Sequence, residues 1–192
     1  MIESKEMLYD YIEQDRKANK LPIPTLFWRL KRIVSPEYIW EYIVTLRKLE
    51  YHINCGSKLF QYYYFVKLQR LGVKLGFCIP PNVFGPGLSI PHFGMIVVNQ
   101  NATVGKNCRL MHGVTIGSTS GSDKAAKIGD NVFLGSNSVI LGDIEIADGV
   151  SVAANATVTK SCNTNNAMLA GTPAQIKKEN CEIWWEMNGL DL

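Results

Sequence analysis

The stretch that decides the fold is residues 128–158, IGDNVFLGSNSVILGDIEIADGVSVAANATV. In this stretch an aliphatic residue returns every six positions, and a second apolar residue lies two positions before most of them. A period of six matches neither the turn of an α-helix, about 3.6 residues, nor the two-residue alternation of a half-buried strand. The same phase extends backward along the chain, so that one series contains Val98, Val104, Leu110, Ile116, Ile128, Leu134, Ile140, Ile146, Val152 and Val158.

This period is typical of the hexapeptide repeat of a parallel β-helix. Each hexad supplies a short strand and a corner, and three hexads close a coil of roughly 18 residues that stacks about 4.8 Å from the next. An antiparallel barrel is the competing interpretation, and the unbroken phase argues against it. Residues 117–127, GSTSGSDKAAK, keep the phase but have no apolar residue at position 122, so we expect a loop that leaves the coil.

The first 75 residues carry helix signals instead, which predicts an α+β chain in three parts. We expect a helical region over residues 1–75, a β-helix over residues 76–176 and a C-terminal tail over residues 177–192. A first helix is expected from Ser4 to about Asn19, and Thr25 is a candidate N-cap for a second.

Two further helices are expected before the repeats begin. Ser35 followed by Pro36 is a favourable N-cap and first helical position, and Gly56 is a natural end for the helix that they start. Ser57 is expected to cap the last helix, and Gly72 is expected to end it.

Composition points to a soluble globular protein, with 46% hydrophobic and 19% charged residues in a chain of 192. The five cysteines are widely spaced and form no C-x-x-C pair, so neither a zinc knuckle nor a disulfide framework is expected and a reducing cytoplasm fits best. The N-terminal stretch MIESKEMLYDYIEQDRK lacks the apolar centre of a signal peptide. No run of 18 uninterrupted apolar residues predicts a membrane span.

The net charge of +3 is concentrated in the N-terminal part, where residues 1–76 contain thirteen Lys or Arg and eight Asp or Glu. A basic region can meet an anionic partner or a membrane surface, although a solvated helix face is the simpler interpretation. The aromatic run YYYF at residues 62–65, beside Lys58, Lys67 and Arg70, leaves the same choice between membrane contact and helix packing, and packing is favoured. We expect no nucleic-acid partner.

The candidate chemistry lies in residues 92–117, HFGMIVVNQNATVGKNCRLMHGVTIG, which hold His92 and His112. No Asp or Glu occurs from residue 51 to residue 122. Imidazole changes charge near neutral pH, so a histidine in a groove is suited to take a proton from a hydroxyl group. His112 follows His92 by one coil and two residues, so both rings can face the same groove. The third histidine, His52, lies in a predicted helix, where a packing role is favoured.

With these features the chain resembles the serine O-acetyltransferase-like branch of the hexapeptide-repeat acyltransferases. The resemblance rests on the N-terminal helices followed by HFGMIVVN, GVTIGSTS and a closing AGTPA, and covers about residues 35–175. It implies a left-handed β-helix, a homotrimer or dimer of trimers, and acetyl-CoA lying in a groove between subunits, with no metal. It also implies that His92 is the general base.

The resemblance further assigns acetyl-CoA to a set of positions along the β-helix. A backbone N–H near Gly117 or Ser118 is the candidate donor to the tetrahedral oxyanion. The pantetheine arm, phosphates and adenine are expected to pass along the later coils. The implied acetyl-CoA-binding residues there are Ala153, Ala154, Lys160, Gly171 and Pro173.

Four positions depart from the pattern of the serine-specific members. Pro91 and Phe77 stand where those members have acidic residues, Ala125 replaces a second histidine, and Gln175 replaces the final arginine of the closing motif. The ammonium group of L-serine would therefore lack its local carboxylate partners, and an unpaired buried cation is costly.

In its motifs the chain is closest to the members that acetylate sugars in surface polysaccharide biosynthesis, which also show a histidine in HGVTIG. We therefore expect a sugar or glycan hydroxyl as acceptor, with His112 assisting His92. The candidate acceptor-binding residues are Asn99, Ser118, Thr119 and Asp123. L-Serine O-acetylation in cysteine biosynthesis is the first alternative, and a non-catalytic β-helix scaffold is the second.

Other conspicuous residues have structural explanations. Asp130, Asp143 and Asp148 fall at predicted hexad corners, where local hydrogen bonding accounts for them. Trp184 and Trp185 are expected to anchor the C-terminal tail on the β-helix.

Overall fold

The computed structural model of the protein describes residues 1–23, 25 and 35–190. Near the N-terminus lie α1 (Lys5–Ala18), α2 (Tyr38–Asn54) and α3 (Lys58–Leu75), and α4 (Trp184–Met187) lies near the C-terminus. The strands between them are β1 (Phe77–Cys78), β2 (Ile96–Val98), β3 (Thr103–Val104), β4 (Arg109–Leu110), β5 (Thr115–Gly117), β6 (Lys127–Ile128), β7 (Phe133–Leu134), β8 (Val139–Leu141), β9 (Glu145–Ile146), β10 (Ser151–Val152), β11 (Thr157–Val158), β12 (Met168–Ala170) and β13 (Gln175–Lys178).

The strands stack into the parallel β-helix that the six-residue period predicts. Sheet A has the order β1-β2-β5-β8-β11, sheet B has the order β3-β6-β9, and sheet C has the order β4-β7-β10-β12 with β13 added antiparallel. Between β3 and β11, successive strands fall on sheets B, C and A in turn, so each coil contributes one strand to each face. Val139 pairs with Thr157, which is 18 residues further on, whereas Thr115 pairs with Val139, which is 24 residues further on.

The longer coil contains the predicted loop, but the loop is shorter than expected. Gly117 ends β5 and Lys127 begins β6, and Ala125 and Ala126 are buried. The excursion therefore covers residues 118–124, because the two alanines return to the interior before the strand resumes. This coil is longer than an ordinary coil by one hexad, so the phase of the repeat is the same before and after the loop.

The interior is built from the predicted hexad residues. All ten members of the series from Val98 to Val158 are at most 5% exposed. The residues two positions earlier are buried as well: Ala102, Cys108, Val114, Val132, Ile144, Val150 and Ala156. Burial raises the pKa of the Cys108 thiol, so this cysteine acts as a small core residue rather than as a nucleophile.

Short polar side chains hold the corners together. The Asp130 carboxylate accepts from the Lys106 N–H at 2.9 Å, and the Asp148 carboxylate accepts from the Asp130 N–H at 2.6 Å. Asn residues adopt positive φ at several corners, for example Asn137 at 58°. Corner hydrogen bonding is thus confirmed for Asp130 and Asp148, while Asp143 instead forms an ion pair with Lys124 at 3.0 Å.

The expected start and end of α1 and the start of α3 are confirmed, the helix expected to stop at Gly56 ends at Asn54, and two other expected boundaries are wrong. Ser4 caps α1 through a hydrogen bond from the Met7 N–H, and Ser57 is the N-cap residue of α3. The helix expected to begin at Pro36 begins at Tyr38, because Glu37 has a ψ of 77°, outside the helical region. The helix that Thr25 was expected to cap lies outside the described residues.

The end of α3 shows why a glycine can mislead a boundary prediction. The helix continues through Gly72 to Leu75 and ends at Gly76, which has the left-handed φ of 79°. A Cβ at Gly72 would lie 2.6 Å from the Phe77 carbonyl oxygen. Gly72 therefore permits close packing of α3 against the start of the β-helix, and Gly76 is the cap.

A buried ion cluster joins the helices to the first coil. The Arg47 guanidinium contacts Asp15 at 2.8 Å and Glu50 at 2.9 Å, and all three side chains are at most 2% exposed. Arg47 also donates to the carbonyl oxygens of Phe84 and Gly85. The two carboxylates accept backbone N–H groups of Leu88 and Asn82, so the first coil supplies the cluster's remaining partners.

The tail folds back onto the β-helix as predicted. Trp184 is 1% exposed and donates its indole N–H to the Asn107 carbonyl oxygen at 2.8 Å. Trp185 donates to the Asn131 side chain at 2.9 Å, and the Arg109 guanidinium lies over the Trp184 ring. Of the helices in the described ranges, none combines the length and apolar character needed to cross a bilayer.

Replacing Arg47 with Met should destabilise the protein by about 3–5 kcal/mol, because Asp15 and Glu50 would remain buried without their cation. Urea unfolding followed by circular dichroism measures the change. Lys48→Met, one residue further along the same helix and partly exposed, is the matched control and should cost less than about 1 kcal/mol. Equal midpoints for the two variants would show that the buried cluster contributes nothing to stability.

Candidate active site

His92 and His112 meet at one corner of the β-helix. His92 lies in the segment before β2, and His112 lies between β4 and β5, one coil later. Their ring centroids are 6.3 Å apart with the rings at 76°, and both side chains are exposed. The expected pairing is therefore present in a single chain, at the corner where sheet C turns into sheet A, which we call the histidine corner.

Two glycines that the sequence reasoning did not single out make this pairing possible. Gly94 has a φ of 131°, and a Cβ there would lie 3.1 Å from the His112 Cβ. Gly113 has a φ of 77° and donates its N–H to the Met95 carbonyl oxygen at 2.7 Å. The His112 carbonyl oxygen accepts the Asn137 N–H at 2.9 Å. The sequence did contain a sign of these glycines, because Gly94 lies two residues after His92 and Gly113 directly follows His112.

Four of the predicted acetyl-CoA-binding residues continue the same corner. Ala153 and Ala154 directly follow β10, and Gly171 and Pro173 follow β12, as His112 follows β4. The Ala153 N–H donates to the Leu169 carbonyl oxygen at 2.8 Å, which fixes the register between these coils. The histidines and these four positions therefore form one column along the outside of the β-helix.

The other predicted site residues lie at the opposite edge of sheet A, where it turns into sheet B. We call this edge the loop corner. Asn99 follows β2, Lys160 lies two residues beyond β11, and the loop of residues 118–124 follows Gly117 at the end of β5. The loop corner therefore holds Asn99, Gly117, Ser118, Thr119, Asp123 and Lys160.

Side-chain contacts at the loop corner are local. The Asn99 amide donates to the Ser118 hydroxyl at 3.3 Å, and its carbonyl oxygen accepts the Asn101 N–H at 2.9 Å. The Asn101 amide donates in turn to the Asp123 backbone carbonyl. Asn99 is thus committed within this corner and does not orient His92, and the Asp123 side chain is exposed. Within one chain, sheet A separates the two halves of the predicted site.

No carboxylate holds either histidine within the part of the chain that the structure describes, and neither imidazole accepts or donates a hydrogen bond there. Of the positions that depart from the serine-specific pattern, Phe77 is buried against the Tyr42 ring at 5.2 Å and Ala125 is buried too. Both positions therefore belong to the core, where an unpaired ionised side chain would be costly.

An acidic residue from a distant part of the sequence shares a cavity with the residue that precedes His92. Glu37, at the start of α2, lines a cavity of about 110 Å³ together with Asn19, Ile90 and Pro91. Pro91 directly precedes His92. No sequence pattern pointed to Glu37, because it lies far from His92 along the chain and approaches Pro91 only through the fold.

The remaining candidates have structural roles. His52 stacks on the rings of Phe60 and Tyr64, which confirms the expected packing role. Burial, followed by the charge of Lys48, lowers the pKa of this histidine. Over residues 1–23, 25 and 35–190, no three His, Cys, Asp or Glu side chains come together as a metal site.

Comparison with known proteins identifies the family. The family model described as bacterial transferase hexapeptide (six repeats) matches residues 125–160. The crystal structure of serine acetyltransferase from Brucella abortus superposes with a TM-score of 0.70 at 31% identity, covering 89% of this chain and 69% of that one. The chain belongs to the hexapeptide-repeat acyltransferase family.

The chain is also similar to other proteins named serine acetyltransferase. A Neisseria gonorrhoeae serine acetyltransferase, solved in complex with serine, matches with a TM-score of 0.72 at 26% identity over 91% of this chain and 71% of that one. Serine acetyltransferase 4 of Arabidopsis thaliana is 35% identical over 99 residues, which is 50% of this chain and 28% of that protein. The Mycobacterium tuberculosis enzyme is 32% identical over 50% of this chain and 43% of its own length.

The chain therefore spans less than half the length of these two curated relatives. All four are named as serine acetyltransferases. The closer likeness to polysaccharide O-acetyltransferases, which the motifs indicated, is not shown by these relatives.

Proposed function

We propose that this protein is an acetyl-CoA-dependent O-acetyltransferase whose left-handed β-helix assembles into a trimer. The observation that carries the proposal is the histidine corner, where two exposed imidazoles 6.3 Å apart begin a column that continues to Ala153, Ala154, Gly171 and Pro173. Three coils at about 4.8 Å each separate His112 from Gly171, so the column extends for roughly 14 Å beyond His112. An extended acetyl-CoA lying along it would present its thioester to the histidines.

In the proposed mechanism His92 takes the proton from the acceptor hydroxyl while the hydroxyl oxygen attacks the thioester carbonyl. A backbone N–H near Gly117 or Ser118 donates to the tetrahedral oxyanion. The C–S bond then breaks, the acetyl group stays on the acceptor oxygen, and His92 returns its proton to the CoA sulfur. His112 contacts the acceptor hydroxyl or the thioester carbonyl.

This mechanism needs the histidine corner of one subunit beside the loop corner of the next, since sheet A separates the two within a chain. The faces that flank the histidine corner are suited to subunit contact. Val97 on sheet A is 40% exposed and Met168 on sheet C is 37% exposed, so both faces present apolar groups. Sheet B instead carries the exposed Lys127–Glu145 ion pair. In a ring of three chains, each chain would contact its two neighbours through two different faces. Each histidine corner would then lie beside the loop corner of a neighbouring chain.

Mixed trimers test the shared site. His92→Ala removes the proposed base at one corner, and the double variant Asn99→Ala/Ser118→Ala alters the other corner. If each variant alone is inactive, an equal mixture refolded together should recover about a quarter of wild-type activity, because a quarter of the interfaces pair two intact corners. Activity that does not rise on mixing would assign both corners to the same subunit's site. Each variant refolded alone by the same procedure is the control.

The acceptor is the finer part of the proposal. We propose L-serine first, because the relatives are serine acetyltransferases and one was solved with serine bound. Glu37 beside Pro91 offers a carboxylate for the ammonium group that the repeats themselves lack. A sugar hydroxyl is the second candidate, favoured by the absence of Asp and Glu from residues 51–122. A neutral acceptor needs only hydrogen-bond partners such as Thr119 or Ser118.

A thiol-release assay with acetyl-CoA decides between these acceptors. The panel comprises L-serine, monosaccharides, nucleotide sugars and oligosaccharides. Serine turnover should fall when Glu37 is changed to Gln, through a higher KM, whereas turnover of a neutral sugar should not change. No thiol release above background with any acceptor, together with no acetyl-CoA binding, would leave the non-catalytic scaffold as the better description.

His92→Ala should lower turnover with the best acceptor by at least about 10²-fold, the lower limit for losing a general base. Acetyl-CoA binding should survive, because the proposed groove is formed mainly by later coils. His112→Ala should have a smaller effect, chiefly on the acceptor KM. His52→Ala, a histidine of α2 that packs on aromatic rings, is the control and should keep near-normal turnover. Normal turnover of His92→Ala with complete loss in His112→Ala would reverse the two roles.

A further inference from the structure

Helix α3 is apolar on the side that faces away from the core. Its buried side consists of Leu68, Leu71 and Leu75, each at most 8% exposed. On the opposite side Leu59 is 75% exposed, Tyr62 70%, Tyr63 55% and Val73 86%. At i, i+3, i+4 and i+7 spacing this side presents a continuous stripe, which we call the α3 outer face: Leu59, Tyr62, Tyr63, Val66, Arg70 and Val73.

The charge on this helix is of one sign. The α3 sequence KLFQYYYFVKLQRLGVKL contains three Lys and one Arg and neither Asp nor Glu. Lys67 forms an ion pair with Glu41 of α2 at 2.8 Å, and Lys74 lies over the Tyr38 ring. Lys58 and Arg70 are exposed, and Arg70 lies within the α3 outer face, which is therefore apolar, aromatic and cationic at once.

We propose that the α3 outer face docks on the surface of an anionic phospholipid bilayer. Tyr62 and Tyr63 suit the interface, because a tyrosine ring can enter the acyl boundary while its hydroxyl stays hydrated. Lys58 and Arg70 would meet lipid phosphates, and long basic side chains can reach the headgroups from a helix that lies in the membrane plane. The helix lies on the membrane and does not cross it.

Charge argues against a second copy of the chain as the occupant. Two α3 outer faces packed together would bury Arg70, with the exposed Lys58 beside it, between the two copies, and α3 supplies no carboxylate to neutralise these cations. An anionic lipid surface supplies the missing charge.

Docking at α3 would also place the proposed site near the membrane. Gly76, which ends α3, packs against Gly94 and Met95, since a Cβ there would lie 3.2 Å from the Met95 nitrogen. Gly94 in turn packs against His112. The histidine corner thus lies directly beyond the end of the docked helix, whichever hydroxyl the protein acetylates.

Vesicle co-sedimentation of the full-length protein tests the proposal. The wild type should bind vesicles of phosphatidylcholine with phosphatidylglycerol and should bind pure phosphatidylcholine much more weakly, and added salt should reduce binding. Lys58→Gln/Arg70→Gln should lower the partition coefficient about 25-fold, at about fivefold per cation. Tyr62→Ser/Tyr63→Ser should lower it at least about tenfold.

The control removes the same charge elsewhere. Lys106 and Lys127 lie on the β-helix, so the double variant Lys106→Gln/Lys127→Gln should bind anionic vesicles within about twofold of the wild type. Melting temperatures of all variants establish that each is folded. Equal binding to neutral and anionic vesicles, or equal loss in the control, overturns the proposal. So does a change of oligomeric state in the Tyr62→Ser/Tyr63→Ser protein without lipid, because the α3 outer face would then join copies of the chain.

Discussion

The stacking of one aliphatic side chain on the next, coil after coil, is the constraint on which the rest of this structure depends. The interior of the β-helix is narrow and is filled by aliphatic side chains. Leu110, Leu134 and Val152, for example, lie above one another with almost no exposure. Because the backbone hydrogen bonds hold the coils in register, every position outside the interior also forms a column. His92, His112 and Ala154 share a corner for this reason, although no direct contact holds the three together.

A second constraint is electrostatic and joins the two parts of the fold. The Asp15–Arg47–Glu50 cluster is buried, so its charges must find partners, and the first coil supplies them through Phe84, Gly85 and nearby backbone groups. Buried ion pairs stabilise little by themselves, but a missing partner is costly, which makes such a cluster selective for one arrangement. The segment held in this way leads within a few residues to Pro91 and His92.

The distribution of the proposed site residues has a physical consequence for assembly. A single β-helix exposes its corners and cannot enclose an acceptor, because its interior is filled. A site that uses both the histidine corner and the loop corner must therefore be completed by another chain, and sheet A, whose strands carry no charged residue, suits that contact better than sheet B with its Lys127–Glu145 ion pair. The α3 outer face belongs to the helical region and shares no residue with sheets A and C, so the proposed membrane docking and the proposed assembly use different residues.

The sequence by itself determined the β-helix, its interior residues, the position of the loop and the neighbouring placement of His92 and His112. It could do so because a period of six is a local property that the coil converts directly into columns. Only the tertiary structure decided that Gly72 packs against β1 while Gly76 ends the helix, that Asn99 belongs to the loop corner, and that Glu37 approaches Pro91. Each of these depends on contacts between segments far apart in the chain, for which a single sequence carries no periodic signal. In the proposed function the acceptor belongs to this second group as well, since its recognition would depend on Glu37 at the start of α2 and on the packing of subunits.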